Sequence, residues 1–267
     1  MTATLEAVAT TATEEREDFL LRRDLRAAAA LLTPSEVRYL VDFYYQLQEW
    51  RIGASNQVRA QAGEPNAILA WYSERVERLE RQIPGAMRVY AKARPDGAWA
   101  LSIHGIGPVL AAGLLTHFDI ERAPTVGHFW SFAGMNPDMK WEKGQKRPFS
   151  LSAKVLCWKV GQSFMKLRAH KADIYGKVYE ARKALEIARN EAGAHKGYKL
   201  RTAGKTTEVD ILPPFIIDAR ARRYAVKLFI AHLHHVMYEV RYGTAPPKPY
   251  ILNQPGHVHF IAPPNWP

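Results

Sequence analysis

The chain has 267 residues, 47% hydrophobic and 24% charged, which is enough to bury a real core and excludes a wholly disordered chain. Its single cysteine, Cys157, excludes an internal disulfide and a thiolate zinc cluster, and its apolar helical surroundings predict an inert buried thiol. The formal net charge is +11, which calls for an anionic partner, nucleic acid before membrane, since no amphipathic anchor is evident and no apolar run approaches the ~18 residues a membrane span needs.

Residues 1–15 are rich in Thr and Ala without an apolar period and read as a disordered tail. A helical pattern follows from Arg16 to Leu32. Thr33-Pro34-Ser35-Glu36 then has the form of a helix start, with Thr33 as N-cap, Pro34 at the first helical position and Glu36 closing a capping box. The helix behind it carries Val37, Leu40, Val41, Tyr44, Leu47 and Trp50 at spacings of mostly three and four, and extends to about Gln61. Gly63-Glu64-Pro65 breaks it. Asn66–Val89 reads as a further helix that Pro84-Gly85 should kink or end, and residues 90–98 as a loop. Residues 16–98 thus form an N-terminal helical region suited to homodimerisation or partner docking.

Beyond Phe118, Thr125 should cap a helix over Val126–Phe132, closed by Gly134. Residues 138–150 form a basic loop, and Ser150 or Ser152 should cap a helix Ala153–Arg168 with Val155, Leu156, Trp158, Val160, Phe164 and Leu167 as its apolar set. Tyr175–Glu191 and Ile217–Val240 read as helices, and the polar stretch His195–Asp210 between them as a mobile loop. Residues 243–267 hold seven prolines and should run as extended chain over the surface. No convincing run of strands appears. The expected fold is an all-α helical bundle, with a basic domain over 99–242 and an extended Pro-rich C-terminal tail.

Charge is concentrated rather than spread. Residues 138–205 hold 17 Lys/Arg against 6 Asp/Glu, so this segment carries the whole surplus. Within it, Lys140, Trp141, Lys143, Lys146, Arg147 and Phe149 mix cations with aromatic rings, the combination that binds phosphates and stacks on bases. Lys154 and Lys159 extend the basic track along the next helix. Some thirty residues upstream, Trp99–Phe118 turns through His104-Gly105-Ile106-Gly107 and restarts as a helix at Pro108. A Gly-x-Gly turn at a helix N-terminus presents backbone N–H groups, with the helix dipole behind them, to a phosphate oxygen. That is the pattern of a helix-hairpin-helix, with Gly105, Ile106 and Gly107 as the phosphate-facing residues; taken alone, the turn is equally consistent with a tight turn inside a helical core.

Two other constellations have chemical potential. His232, His234 and His235 lie on the last helix with Glu239 one turn on, and the tail adds His257 and His259. His232, His235 and Glu239 share a face and are the candidate metal ligands, but no His-Glu-x-x-His arrangement supports them, and packing and capping are the favoured reading of these histidines. Ser150 and Ser152 lie beside the basic loop, where a phosphodiester would sit, and are the candidate nucleophiles; helix capping explains both as well. Asp42, Asp119 and Asp138 are scattered, with no cluster for two-metal chemistry.

The run His-Gly-Ile-Gly-Pro-Val-Leu-Ala-Ala-Gly-Leu-Leu, then Phe-Asp-Ile, then Phe-Trp-Ser-Phe-Ala-Gly-Met-Asn-Pro resembles the C-terminal domain of DEDD-type insertion-sequence transposases, relatives of the pilin-gene invertases. The resemblance covers roughly 100–170 and keeps the order and spacing of the three blocks. It implies a DNA partner, double-stranded, and a bacterial cytoplasmic, nucleoid-associated location. In that family a RuvC-like N-terminal domain supplies four metal-binding acids and a Ser-Gly pair after the Gly-Leu-x-Pro block supplies the nucleophile. Here the first hundred residues read as helical without a strand–acid pattern, and Lys143 stands before Gly144, so no residue is carried over as catalytic. The expectation is a DNA-binding protein of transposase-like family, without a cofactor or catalytic centre of its own. The alternatives are an active transposase or recombinase working with a partner, and a structural protein of a phage or mobile-element particle.

Overall fold

A computed structural model of the chain describes residues 21–60, 67–142, 144–202, 204–249 and 260–267. The tail 1–15, the break at Gly63-Glu64-Pro65, Lys143, His257 and His259 lie outside the described residues. The described residues are mostly helical, with one two-stranded hairpin, in keeping with the all-α bundle. No described helix is long and apolar enough to cross a membrane. The chain divides into two compact units: Met1–Ala98 with Gly107–Thr116, and Trp99–Ile106 with His117–Pro267.

Among the described residues the first unit begins with α1 (Arg23–Ala28) and a 3₁₀ turn (Ala29–Leu31); residues 16–20 of the helical pattern lie outside them. Helix α2 (Pro34–Ala60) starts at the capping box: Thr33 N–H donates to Glu36 Oε2 at 2.7 Å and Glu36 N–H to Thr33 Oγ1 at 3.3 Å. These bonds to Thr33 hold the Glu36 carboxyl below its usual range. Helix α3 (Ala67–Lys92) packs along α2, joining Ile83, Met87 and Tyr90 on one side to Val37, Val41 and Leu47 on the other. Arg51 Nε donates to the buried carboxylate of Glu80 at 2.6 Å.

Pro84 neither ends nor interrupts α3. Its missing N–H and ring clash disfavour an interior position by about 3 kcal/mol. The buried set Ile83, Ala86, Met87, Tyr90 and Ala91 straddles it, and burial at about 1.5–3 kcal/mol per large side chain outweighs that penalty. The expected loop at 90–98 is correspondingly reduced. Helix α3 continues to Lys92, and α4 (Pro95–Ser102) begins three residues later with Pro95 in its first turn. Gly97 permits this tight joint, because a Cβ there would lie 2.1 Å from the Ala91 carbonyl oxygen. Helix α5 (Pro108–His117) is buried along most of its length, and Arg38 Nη1 donates at 2.6 Å to the Thr116 carbonyl near its C-terminus.

The second unit is built around α9 (Pro214–Tyr242), against which α6 (Val126–Phe132), α7 (Leu151–Leu167) and α8 (Ile174–Glu191) pack. Its core joins Phe164, Tyr175 and Phe229, with centroids 4.9–5.5 Å apart, and Trp99 stacks on Phe229 at 5.8 Å. Helix α6 ends as expected at Gly134 (φ +65°), where Met135 N–H donates to Trp130 O and Gly134 N–H to Ser131 O. Ser150 Oγ caps α7 by accepting from Ala153 N–H at 3.2 Å, and Asp173 Oδ1 caps α8 by accepting from Gly176 N–H at 2.7 Å.

The apolar set assigned to α7 splits in two. Leu156, Val160 and Phe164 are buried, whereas Val155, Trp158 and Leu167 are exposed. Where the composition predicts a loop over 195–210, the chain forms an antiparallel hairpin, β1 (Tyr198–Thr202) with β2 (Lys205–Val209), in which Thr202 pairs with Lys205 and Gly204 takes φ +81°. A two-residue connection that admits positive φ is what a tight hairpin needs.

The described parts of the tail form no helix or strand. Residues 261–266 are nevertheless fastened: Trp99 Nε1 donates to Pro264 O at 2.7 Å, and Trp266 Nε1 to Glu239 Oε2 at 2.6 Å.

Candidate nucleic-acid interface

The chain leaves α4, turns through His104–Gly107 and enters α5. Gly105 takes φ +93°, where an L side chain is strained, and a Cβ would meet Phe164 Cδ1 at 3.1 Å. Ser163 Oγ fixes the turn by donating to Gly105 O at 2.6 Å, and Ile106 N–H donates to Ile103 O at 3.0 Å. Ile106 therefore points into the protein and is 4% exposed. Gly107 is exposed, and a Cβ there would meet nothing. Its carbonyl accepts from Ala111 N–H at 2.9 Å, so Gly107 is the N-cap residue of α5. Since Pro108 has no N–H, the amides of Gly107, Val109 and Leu110 are the ones the helix itself leaves unbonded.

Against the turn lies a group that linear spacing does not reveal. The His104 and His170 rings stack with centroids 4.0 Å apart and planes 9° apart. His170 Nδ1 accepts from Ala172 N–H at 3.2 Å. Burial pushes the carboxyl of Asp173 above its usual range, although the cap bond from Gly176 and the charges of His104 and His170 oppose it. His104 Nε2 and Asp173 Oδ2 are both buried without a hydrogen-bond partner. Residues 104, 170 and 173 meet only because α7 and its C-terminal turn return the chain to this place.

The basic loop after α6 leaves Lys140, Trp141, Lys146 and Arg147 exposed. The Arg147 guanidinium lies 5.6 Å from the Trp141 ring, and Trp141 Nε1 donates to Gln145 O at 2.9 Å, which together hold the partly exposed ring in place. Phe149 is half-buried against Gly134 and carries Lys154 Nζ 4.4 Å above its ring. Ser150 N–H donates to Phe132 O at 2.8 Å and pins the end of the loop to α6. Lys154 and Lys159 are five residues apart on α7, about 140° around the helix, so they do not share one face. The face of Lys154 also carries Leu151, Val155 and Trp158, all exposed.

The remaining candidates have other partners. Ser150 is the cap of α7, and Ser152 is exposed on its first turn. His232 is buried, its Nε2 facing Ile261 O at 2.9 Å and its Nδ1 facing the Tyr175 hydroxyl at 2.7 Å. Because a carbonyl only accepts, Nε2 carries the proton and Nδ1 accepts from Tyr175. No lone pair is left for a metal. His235 Nε2 meets Glu239 Oε1 at 2.9 Å, and the other oxygen of Glu239 accepts from Trp266. Among the described residues no three His, Cys, Asp or Glu side chains are placed to hold a metal ion. Cys157 is buried and its thiol is pushed up to about 12, as an inert interior thiol should be.

A family model described as the IS116/IS110/IS902 transposase family matches residues 98–142. The matched stretch takes in the turn, α5 and α6 and ends at Glu142, so the protein is transposase-like there. The chain has no match among curated proteins or among solved structures.

Proposed function

We propose that the protein binds double-stranded DNA through its phosphate backbone, and that binding rather than strand chemistry is its role. The observation that carries this reading is the position of its charge. The whole +11 surplus falls in residues 138–205, which begin inside the transposase-like stretch and continue directly beyond it. Lys140, Lys146 and Arg147 supply exposed cations, Trp141 and Trp158 supply exposed rings, and Lys154 adds a further cation. Lys143, from the same basic run, belongs to this set by sequence. The Gly107 end of α5 offers amides to a phosphate as a separate contact, and Gly105 and Ile106 shape the turn that exposes it. The exposed aromatic residues of α2 and α3, Tyr39, Trp50, Trp71 and Tyr72 among them, support a homodimer through these helices.

The test is fluorescence anisotropy of a labelled duplex across a salt series. Binding should weaken steeply with salt, and the triple variant Lys140→Glu/Lys146→Glu/Arg147→Glu should reduce affinity by at least about a hundredfold and flatten the salt slope by about three. Absent binding at low salt, or affinity independent of salt, would overturn the reading. Strand cleavage of that duplex with added Mg²⁺, lost in Ser150→Ala/Ser152→Ala, would favour the active recombinase instead.

A further inference from the structure

A second cationic feature lies away from the basic loop, in a groove of about 450 Å³ between α8 and α9. Helix α8 contributes Arg182, Glu186 and Arg189 at one-turn spacings, and α9 contributes Arg220, Arg223 and Lys227 in the same way. His195 also lines the groove. Five Arg and Lys side chains thus face a single carboxylate, that of Glu186, which is 1% exposed.

Glu186 acts as an internal anchor. It pairs with Arg182 and with Arg220 at 3.2 Å, and Arg220 Nη1 also donates to His195 Nε2 at 3.2 Å. Those guanidinium groups hold its carboxyl below the usual range despite its burial. Each anchored arginine is also braced by an aromatic ring: Arg182 lies 4.8 Å from the Tyr224 ring and Arg220 5.5 Å from the Tyr198 ring. Arg182 Nε is buried without an acceptor. A buried donor left unpaired calls for a partner.

The other three cations have no ion pair among the described residues. Arg189 and Arg223 are exposed, and Lys227 is half-buried with its Nζ 4.4 Å above the Trp130 ring. Burial first, and then the charge of Arg223, pull the Lys227 ammonium below its usual range against the opposing charge of Asp138. Like charges held together in a concavity repel one another, and an anion with several acceptor oxygens relieves that repulsion. Planar guanidinium groups on a rigid frame fit phosphate oxygens in pairs.

From this we infer that the α8–α9 groove is a phosphate-binding site, in which Glu186 sets Arg182 and Arg220 and the free cations Arg189, Arg223 and Lys227 take the anion. The ligand chemistry is a phosphate group with at least two oxygens available, either in the nucleic-acid backbone or in a free polyphosphate. Assigning it to the backbone rests on the DNA-binding reading; the anion site itself does not. As a backbone contact, the groove extends the DNA footprint beyond the basic loop and adds to the salt slope.

The experiment compares the full chain with Arg189→Gln/Arg223→Gln, two exposed positions outside the Glu186 network. An unchanged melting temperature without ligand shows that this variant is folded. Two probes are used: sodium tripolyphosphate, read as a rise in melting temperature at constant ionic strength, and a labelled duplex, read by anisotropy across a salt series. A backbone site predicts that tripolyphosphate stabilises the unsubstituted chain and not the variant. It also predicts that the variant binds duplex about tenfold or more weakly, with a salt slope lower by about two. Loss of the tripolyphosphate response with duplex binding unchanged supports the site and assigns it to a free polyphosphate. Equal responses of both proteins to both probes would overturn it. If the unsubstituted chain binds no duplex yet responds to tripolyphosphate, the DNA-binding reading fails and the groove stands.

Discussion

His232 makes stability strongly dependent on pH, and its hydrogen bonds fix the sign. In the folded protein the neutral ring is fully matched, donating from Nε2 to Ile261 O and accepting at Nδ1 from Tyr175. Burial lowers its pKa from 6.5 to about 4, the bond to Ile261 opposes the shift and the nearby His235 adds to it. The unfolded chain therefore takes up a proton near pH 6.5, whereas the folded protein resists it until about pH 4. The stability this ring contributes is complete above about pH 6.5 and is lost progressively as pH falls from there to about 4, by roughly 3 kcal/mol in all. Burial also lowers His234, whose Nε2 meets Ala123 O at 2.8 Å, so a comparison is needed to isolate His232. His232→Gln keeps a donor and an acceptor without a titrating ring. Urea unfolding between pH 7.5 and 4.5 should show the variant less stable than the unsubstituted chain at pH 7.5, with the gap closing by about 2 kcal/mol or more at pH 4.5. A gap that stays constant across this range would refute the reasoning.

Three further outcomes follow from the packing. Gly97→Ala places a methyl 2.1 Å from the Ala91 carbonyl oxygen, so α3 and α4 must separate; the expected destabilisation is about 2–4 kcal/mol in chemical unfolding. Phe164→Ala removes a fully buried ring that packs on Tyr175 and Phe229 and supports Gly105, and should cost about 3–5 kcal/mol. The homodimer proposed through α2 and α3 should sediment at twice the chain mass, and Trp71→Glu/Tyr72→Glu, two exposed positions on α3, should return it to the monomer. A monomer at all concentrations before substitution would remove that contact from consideration.

The helix starts and stops were the most legible features in the sequence, because their chemistry is local. Thr33 with Glu36, Gly134 and Ser150 each act within a few residues of themselves, and each forms the expected cap. Elements decided by distant partners were not legible. Pro84 reads as a break, yet the residues on both sides of it are buried. Gly97 reads as part of a loop, yet its missing side chain lets α4 start close against α3. The hairpin at 198–209 was hidden by composition. Its polar and basic residues suggest a loop, and only Tyr198 and Leu200 on β1, with Val209 on β2, hint at alternation.

The same division separates the two cationic features. The basic loop is contiguous, so charge counting along the chain finds it. The α8–α9 groove draws its cations from residues 182–189 and 220–227, two stretches that look like ordinary solvated helix faces when read apart. The signal available in sequence was the one-turn spacing of Arg182 with Arg189 across Glu186, and of Arg220 with Arg223 and Lys227. It acquires meaning only when α8 and α9 lie side by side. Glu186 then explains why so much charge is tolerated there. Replacing it with Gln would leave Arg182 and Arg220 without their shared carboxylate, so the cations of the groove would repel one another more strongly in the folded protein. Glu186→Gln should therefore lower the melting temperature at low ionic strength, with added tripolyphosphate recovering part of the loss. A melting temperature unaffected by the substitution would mean that Glu186 does not set the groove.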